Sequence, residues 1–103
     1  MGEKHYLIML DIDARKRHYH RAEAGKITNF SVQLEIKIGD TWREVVRYDC
    51  AHGYAHKDYY GIEGKQRKIN LYMSYEDALT FAEDDINENW KIYKQRFLKG
   101  DTS

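Results

Sequence analysis

One short stretch of the sequence, VVRYDCAHGYAHKD, holds the residues best suited to chemistry. It runs from Val45 to Asp58 and contains two histidines, two aspartates, an arginine, a lysine and the single cysteine of the chain. Histidine titrates near neutral pH, so two imidazoles can act as general acid and general base. An arginine or lysine can stabilise the negative charge of a phosphate. These residue types favour cleavage of RNA without a metal ion, in which the neighbouring 2′-hydroxyl attacks the phosphate.

The predicted site divides into a catalytic group and a substrate-binding group. In the first, imidazoles act as acid and base, a guanidinium contacts phosphate and a carboxylate orients one imidazole. The catalytic group is His52, His56, Arg47 and Asp49. In the second, tyrosine rings stack on bases and polar groups contact the backbone. The substrate-binding group is Lys57, Asp58, Tyr48 and Tyr59. Three more residues would join the site if the first hairpin lies beside it: His18, His20 and Arg21.

Two other interpretations of the same stretch stay open. The imidazoles of His52 and His56, flanked by Asp49 and Asp58, are ligand types that suit zinc. A histidine pair with this spacing binds metal best on a helix, and Gly53 argues against a helix here, so we predict no metal ion and no other cofactor. In the other interpretation the stretch is an ordered polar loop whose charged groups make only local contacts.

Length and composition limit the remaining possibilities. A chain of 103 residues with 42% apolar residues is long enough for one domain with its own core. The 17 basic and 17 acidic residues cancel, which argues against a general attraction to nucleic acid or membranes but permits a local basic patch. One cysteine excludes an internal disulfide, and no apolar run approaches the ~20 residues that span a bilayer. We predict one cytoplasmic domain over residues 1–103, with no membrane partner.

The clearest strand lies in the stretch NFSVQLEIKI, where apolar and polar residues alternate. A glycine and an aspartate then indicate a turn, and TWREVVRYDC is the returning strand. A loop of two residues would place Arg43 and Arg47 on the core face. A loop of three residues, 39–41, places Leu34 opposite Val46 and Ile38 opposite Trp42 and keeps both arginines off that face, so we predict the longer loop. On this register the solvent face carries three charged residues of the returning strand: Arg43, Arg47 and Asp49.

A long amphipathic helix is predicted near the C-terminus. Ser74 is a favourable N-cap, and Gly100 is a natural stop. Apolar residues at spacings of three and four form one continuous stripe between them. Because this stripe must be covered, we predict an α+β fold with one long C-terminal helix, about residues 74–99, packed across one face of an antiparallel sheet. The sheet has four to five strands and occupies about residues 5–73.

The pattern W-x-x-V-V-R-Y-D-x-A-H-G-x-x-H-x-D, which runs from Trp42 to Asp58, resembles a family of small uncharacterised prokaryotic proteins. That family also ends in a helix with N-W-x-x-Y-x-x-x-F, here Asn89 to Phe97. A looser likeness is to TumE-type toxins of toxin–antitoxin pairs, through an R-[YW]-D stretch followed by histidines. This likeness implies a toxin-like ribonuclease and maps onto four residues: Arg47, Asp49, His52 and His56.

A non-enzymatic role is the alternative function. Short apolar strands and nine tyrosines suit a protein–protein interface. In this interpretation the chain has no catalytic site. It forms a homodimer through a sheet edge, or binds a cognate partner protein encoded in the same operon.

Overall fold

A computed structural model describes residues 2–102 as one antiparallel sheet followed by one helix. Each strand pairs with the next along the chain, so the spatial order is β1-β2-β3-β4-β5-β6. The predicted α+β class is confirmed, with more strands than predicted. The elements are β1 Gly2–Asp11, β2 Ala14–Glu23, β3 Lys26–Ile38, β4 Thr41–Asp49, β5 His56–Tyr60, β6 Gln66–Asn70 and α1 Tyr75–Leu98.

β5 is the strand that the sequence pattern conceals. Its residues HKDYY show no apolar alternation, so the sequence pattern predicts no strand there. In the structure, β5 lies between β4 and β6, which supply backbone hydrogen-bond partners on both sides. The polar side chains of its first half, His56, Lys57 and Asp58, are buried.

The helix α1 covers one side of the sheet, mainly over β3 and β4. We call this side the helix face and the other side the open face. Alanines on the covering stripe of α1 let the helix approach the sheet closely, and its last turns add two aromatic rings. The buried residues of α1 are Ala78, Ala82, Ile86, Tyr93 and Phe97. They pack against buried β3 side chains, each at most 1% exposed: Phe30, Val32, Leu34 and Ile36.

The ends of α1 follow the predicted capping signals. The Ser74 hydroxyl oxygen accepts a hydrogen bond from the backbone N–H of Asp77 at 3.1 Å. Gly100 follows the last turn with φ of +72°, a left-handed conformation that glycine adopts without strain. Among residues 2–102, no helix combines the length and apolar character needed to cross a bilayer.

A β-bulge sets the register between β3 and β4. The turn between them has only two residues, so Ile38 faces Thr41. Val45 then has no partner on β3, and Leu34 faces Val46 beyond it. The predicted pairing of Leu34 with Val46 is confirmed. The predicted three-residue loop, with Ile38 opposite Trp42, is wrong because the extra residue lies within the strand and not in the turn.

The bulge also decides on which side Arg43 lies. Arg43 faces Ile36 and therefore lies on the helix face, so its predicted place on the solvent face is wrong. Its guanidinium donates a hydrogen bond to the carbonyl of Ile62 at 3.0 Å and lies 5.4 Å from the ring centre of Phe97. A guanidinium over an aromatic ring is a favourable contact, so Arg43 helps to close the core near the C-terminal end of α1.

The helix face contains a buried polar network centred on the Asp85 carboxylate. That carboxylate accepts hydrogen bonds from the hydroxyl of Tyr48, from Lys57 at 3.0 Å and from the hydroxyl of Tyr93 at 2.6 Å. Burial alone would raise the pKa of Asp85, but these hydrogen bonds outweigh burial and lower it. Burial alone would lower the pKa of Lys57, but hydrogen bonds to Tyr59, Tyr93 and Asp85 raise it. Both groups therefore stay charged at neutral pH.

A second buried network joins α1 to the first hairpin through Glu83. The Glu83 carboxylate contacts the Lys16 ammonium and the His18 ring, and Lys16 also donates to the side-chain oxygen of Asn87 at 2.8 Å. Tyr6 of β1 donates to the same carboxylate at 3.1 Å. Burial alone would raise the pKa of Glu83, but the hydrogen bonds from Lys16 and His18 lower it. The two networks together fix α1 across the sheet.

We predict that removal of the Asp85 carboxylate strongly destabilises the fold. Replacing Asp85 by Ala leaves the buried Lys57 ammonium without its carboxylate, which should lower the free energy of unfolding by about 3 to 5 kcal/mol. The measurement is urea denaturation followed by far-UV circular dichroism. Asp84→Ala is the matched control because Asp84 is exposed on the same helix turn, and it should change the value by less than about 0.5 kcal/mol. Equal losses in both variants would contradict the prediction.

The two networks predict a loss of stability in acid. Asp85 and Glu83 have lower pKa values in the folded chain than their ordinary values of 3.8 and 4.5. Their contribution is therefore complete above about pH 4.5 and is lost as the pH falls through the folded pKa values. We expect the difference in unfolding free energy between wild type and Asp85→Ala to shrink as the pH falls below 4. A difference that stays constant from neutral pH to about pH 3 would contradict this linkage.

Candidate functional site

The pairing of β4 with β5 gathers part of the predicted site on the open face. Arg47 lies opposite Asp58, and Asp49 lies opposite His56. Side chains of directly opposite residues point to the same side of a sheet, so all four side chains share the open face. We call Arg47, Asp49, His56 and Asp58 the β4–β5 cluster.

An ion pair between Arg47 and Asp49 forms the exposed side of the β4–β5 cluster. The guanidinium Nε lies 2.6 Å from Asp49 Oδ2, and Nη1 donates to the side-chain oxygen of Gln33 at 3.3 Å. Burial alone would lower the pKa of Arg47, but the hydrogen bond to Asp49 outweighs it and raises the pKa. The other Asp49 oxygen accepts the backbone N–H of Ala51 at 3.1 Å. Asp49 is buried, whereas the Arg47 side chain is 38% exposed and can contact a ligand.

His56 is the most deeply buried residue of the cluster. The residue is 1% exposed, and its ring lies between two carboxylates. Nε2 lies 2.6 Å from Asp49 Oδ1, and Nδ1 lies 3.4 Å from Asp58 Oδ2. Despite these short separations, neither nitrogen forms a hydrogen bond with acceptable angles. A buried imidazole in this state is unusual, since buried polar groups are nearly always hydrogen-bonded.

The loop between β4 and β5 covers His56 with two aromatic rings. The His52 ring is roughly parallel to the His56 ring, with ring centres 5.4 Å apart, and the Tyr54 ring centre is also 5.4 Å from that of His56. Gly53, between them, has φ of +86°, which permits the tight reversal. His52 and Tyr54 are exposed, so of the two predicted catalytic imidazoles only that of His52 faces solvent.

Three of the predicted substrate-binding residues lie on the opposite side of the sheet. Tyr48 and Lys57 face each other on the helix face, and Tyr59 lies two residues further along β5 on the same side. Lys57 is 5% exposed and bonded to Asp85. The structure therefore does not bring these residues together with His56, and only Asp58 of that group joins the cluster.

The residues of the first hairpin do not join the cluster either. His18 and His20 lie on the helix face, where His18 contacts Glu83. Their ring nitrogens approach each other at 2.7 Å. Arg21 lies on β2, and β3 separates that strand from β4. His18 and His20 are thus separated from the cluster because they point to the other side of the sheet, and Arg21 is separated from it because β3 lies between.

The sequence interpretation missed a buried carboxylate next to the cluster. Glu35 lies on the open face, is 6% exposed and contacts Arg15 at 2.5 Å and Arg17 at 2.9 Å. Burial alone would raise the pKa of Glu35, but these hydrogen bonds and one from Gln33 lower it. Gln33 also contacts Arg47, so a continuous polar row crosses β2, β3 and β4. The only signal in the sequence was the group of arginines in β2. That these arginines pair with Glu35 follows only from the order of strands in the sheet.

Comparison with known proteins identifies a family but no activity. No curated protein and no solved structure matched the chain. A family model with the description "Domain of unknown function (DUF7718)" matches residues 1–103. The predicted membership in an uncharacterised family is therefore confirmed, and the likeness to TumE-type toxins stays a prediction. Because the match spans the whole sequence, the chain belongs to the family described as Domain of unknown function (DUF7718).

Proposed function

We propose that the open face binds RNA and cleaves it at the β4–β5 cluster, as a toxin-like ribonuclease would. The observation that carries this proposal is the position of His52. Its exposed ring lies over buried His56, which contacts Asp49, and Asp49 in turn holds the partly exposed Arg47. An imidazole at the surface and a guanidinium oriented by a carboxylate are the groups that cleavage by an adjacent 2′-hydroxyl requires.

Each group has a defined role in the proposed reaction. Arg47 contacts the phosphate, while Asp49 fixes the guanidinium. His52 accepts the proton of the 2′-hydroxyl, whose oxygen then bonds to phosphorus. The bond from phosphorus to the 5′ oxygen breaks, and that oxygen takes a proton from solvent. The products are a 2′,3′-cyclic phosphate and a 5′-hydroxyl. Because His56 is buried, we assign it to positioning His52 and not to contact with RNA.

A second part of the open face suits RNA bases. A hollow of about 250 Å³ is lined by the open-face residues His5, Leu7, Arg17, Tyr19 and Ser31, and by Tyr6 and His18, which alternate with them and belong to the helix face. The rings of His5 and Tyr19 lie 4.6 Å apart, and Arg17 is exposed beside them. Aromatic rings next to a guanidinium are typical of surfaces that stack single-stranded bases and contact the backbone. One strand of RNA could therefore contact both this hollow and the cluster.

The test is cleavage of a labelled single-stranded RNA by the purified chain. His52→Ala should reduce the cleavage rate at least about 100-fold, because general acid–base catalysis contributes at least that much. Arg47→Ala should reduce it by a similar factor.

The matched control is His20→Ala, a histidine on the helix face, which should retain the wild-type rate. Absence of cleavage by wild type, or equal rates for wild type and His52→Ala, would refute the proposal. Product analysis adds a direct check, since the mechanism requires a 2′,3′-cyclic phosphate.

A specific observation favours a second function, self-association through β1. This edge strand exposes four consecutive large apolar side chains at 40% to 54%: Tyr6, Leu7, Ile8 and Met9. An exposed apolar edge strand is a template for pairing with another strand. The other edge, β6, has five residues and begins with the polar sequence QRK, which discourages pairing. Antiparallel pairing of β1 with β1 of a second copy would form a closed two-fold dimer.

The dimer proposal is tested by light scattering after size-exclusion chromatography. Wild type should have twice the chain mass of 12.3 kDa. Met9→Lys places a charge on the proposed interface and should yield the 12.3 kDa species. Ile92→Lys is the matched control, because Ile92 is an apolar side chain of α1 with 55% exposure. A monomeric wild type, or dissociation by Ile92→Lys as well, would contradict the proposal.

A further inference from the structure

We propose that Asp49, His56 and Asp58 bind one divalent transition-metal ion. Each of these residues offers one ligand atom, and the three atoms lie within 4.8 Å of one another. All three residues are buried, and they belong to the adjacent strands β4 and β5, which hold them rigidly. This inference reverses the prediction from sequence that the stretch binds no metal, and it does not depend on RNA cleavage.

The charge balance of the cluster calls for a cation. Arg47 and Lys68 lie opposite Asp58 on the neighbouring strands, but Arg47 pairs with Asp49, and no lysine or arginine nitrogen among residues 2–102 lies within 4 Å of the Asp58 carboxylate. The Asp58 side chain is 5% exposed, and its polar neighbours are Gln66 Nε2 at 3.5 Å and His56 Nδ1 at 3.4 Å. A buried carboxylate that contacts no cation is costly. A bound metal ion would supply that charge.

The imidazole of His56 is a second, independent indication. A neutral imidazole has one N–H, so it can donate to only one of the two carboxylates beside it. Its other nitrogen would then direct a lone pair towards negative charge. Neither nitrogen forms a well-directed hydrogen bond, although the ring is 1% exposed. A metal ion on one nitrogen resolves the conflict, because the remaining N–H can donate to a carboxylate, as metal-ligating histidines usually do.

The donor set points to the class of metal. One imidazole nitrogen with two carboxylate oxygens suits Zn²⁺ or Mn²⁺ better than Ca²⁺ or Mg²⁺, which prefer all-oxygen sites. Three protein ligands leave at least one coordination position for water or for a ligand. His52 and Tyr54 cover the same region, so the loop between β4 and β5 would close over the ion.

The binding test uses the chain stripped with a chelator and titrated calorimetrically with ZnCl₂ and, separately, with MnCl₂. We expect one ion per chain for at least one of these metals. Asp58→Asn and His56→Ala should weaken binding at least tenfold. Asp84→Asn is the matched control on the exposed side of α1, and it should bind as wild type does. Binding that is unchanged in Asp58→Asn, or lost equally in Asp84→Asn, would overturn the proposal.

A second measurement needs no substitution and therefore does not depend on the folding of a variant. Mn²⁺ is paramagnetic and broadens the amide NMR signals of nearby residues. In wild-type chain, substoichiometric Mn²⁺ should first broaden the signals of Asp49, His56 and Asp58. Broadening centred on the acidic residues of α1, or the absence of any local broadening together with no uptake of Zn²⁺, would overturn the site.

Discussion

The alternation of side chains along β4 and β5 is the constraint on which the rest of the structure depends. Tyr48 and Lys57 point to the helix face, while their sequence neighbours Asp49 and His56 point to the open face. Residues that are adjacent in sequence therefore belong to two different sets of contacts on opposite sides of the sheet. One set forms the buried contacts that hold α1, and the other forms the candidate site. A slip of one residue in this pairing would exchange the two sets and disrupt both.

The helix face is held by apolar packing and by two buried charge networks. Alanines of α1 allow close approach to β3, and Glu83 and Asp85 then reach lysines on opposite halves of the sheet. Lys16 lies on β2 and Lys57 on β5, so the two contacts fix the helix at separate points. Buried ion pairs contribute little net stability compared with apolar packing, but a misplaced helix would leave these charges unpaired. They therefore favour one position of α1 over others.

The open face distributes its features across the width of the sheet. The exposed apolar strand β1 is at one edge, and the β4–β5 cluster lies near the other. Strands are spaced by about 4.8 Å, so about three strand widths separate the two regions. A second copy paired with β1 would leave the cluster uncovered. A polar row from Arg17 through Glu35 and Gln33 to Arg47 connects the hollow beside β1 with the cluster.

The sequence by itself determined the elements that depend on local patterns. Alternation identified β3, and the capping residue, apolar stripe and terminal glycine identified α1, because these signals act within a few residues. It also located the cluster, since Arg47, Asp49, His56 and Asp58 are close in the chain. Only the tertiary structure decided that HKDYY is a strand, that Val45 forms a bulge, and that Lys57 lies beneath α1 while His52 covers His56. Pairing between strands and coverage by a helix or loop depend on residues distant in sequence, so the local pattern of residues 45–58 does not specify which side each polar group faces or whether it is buried.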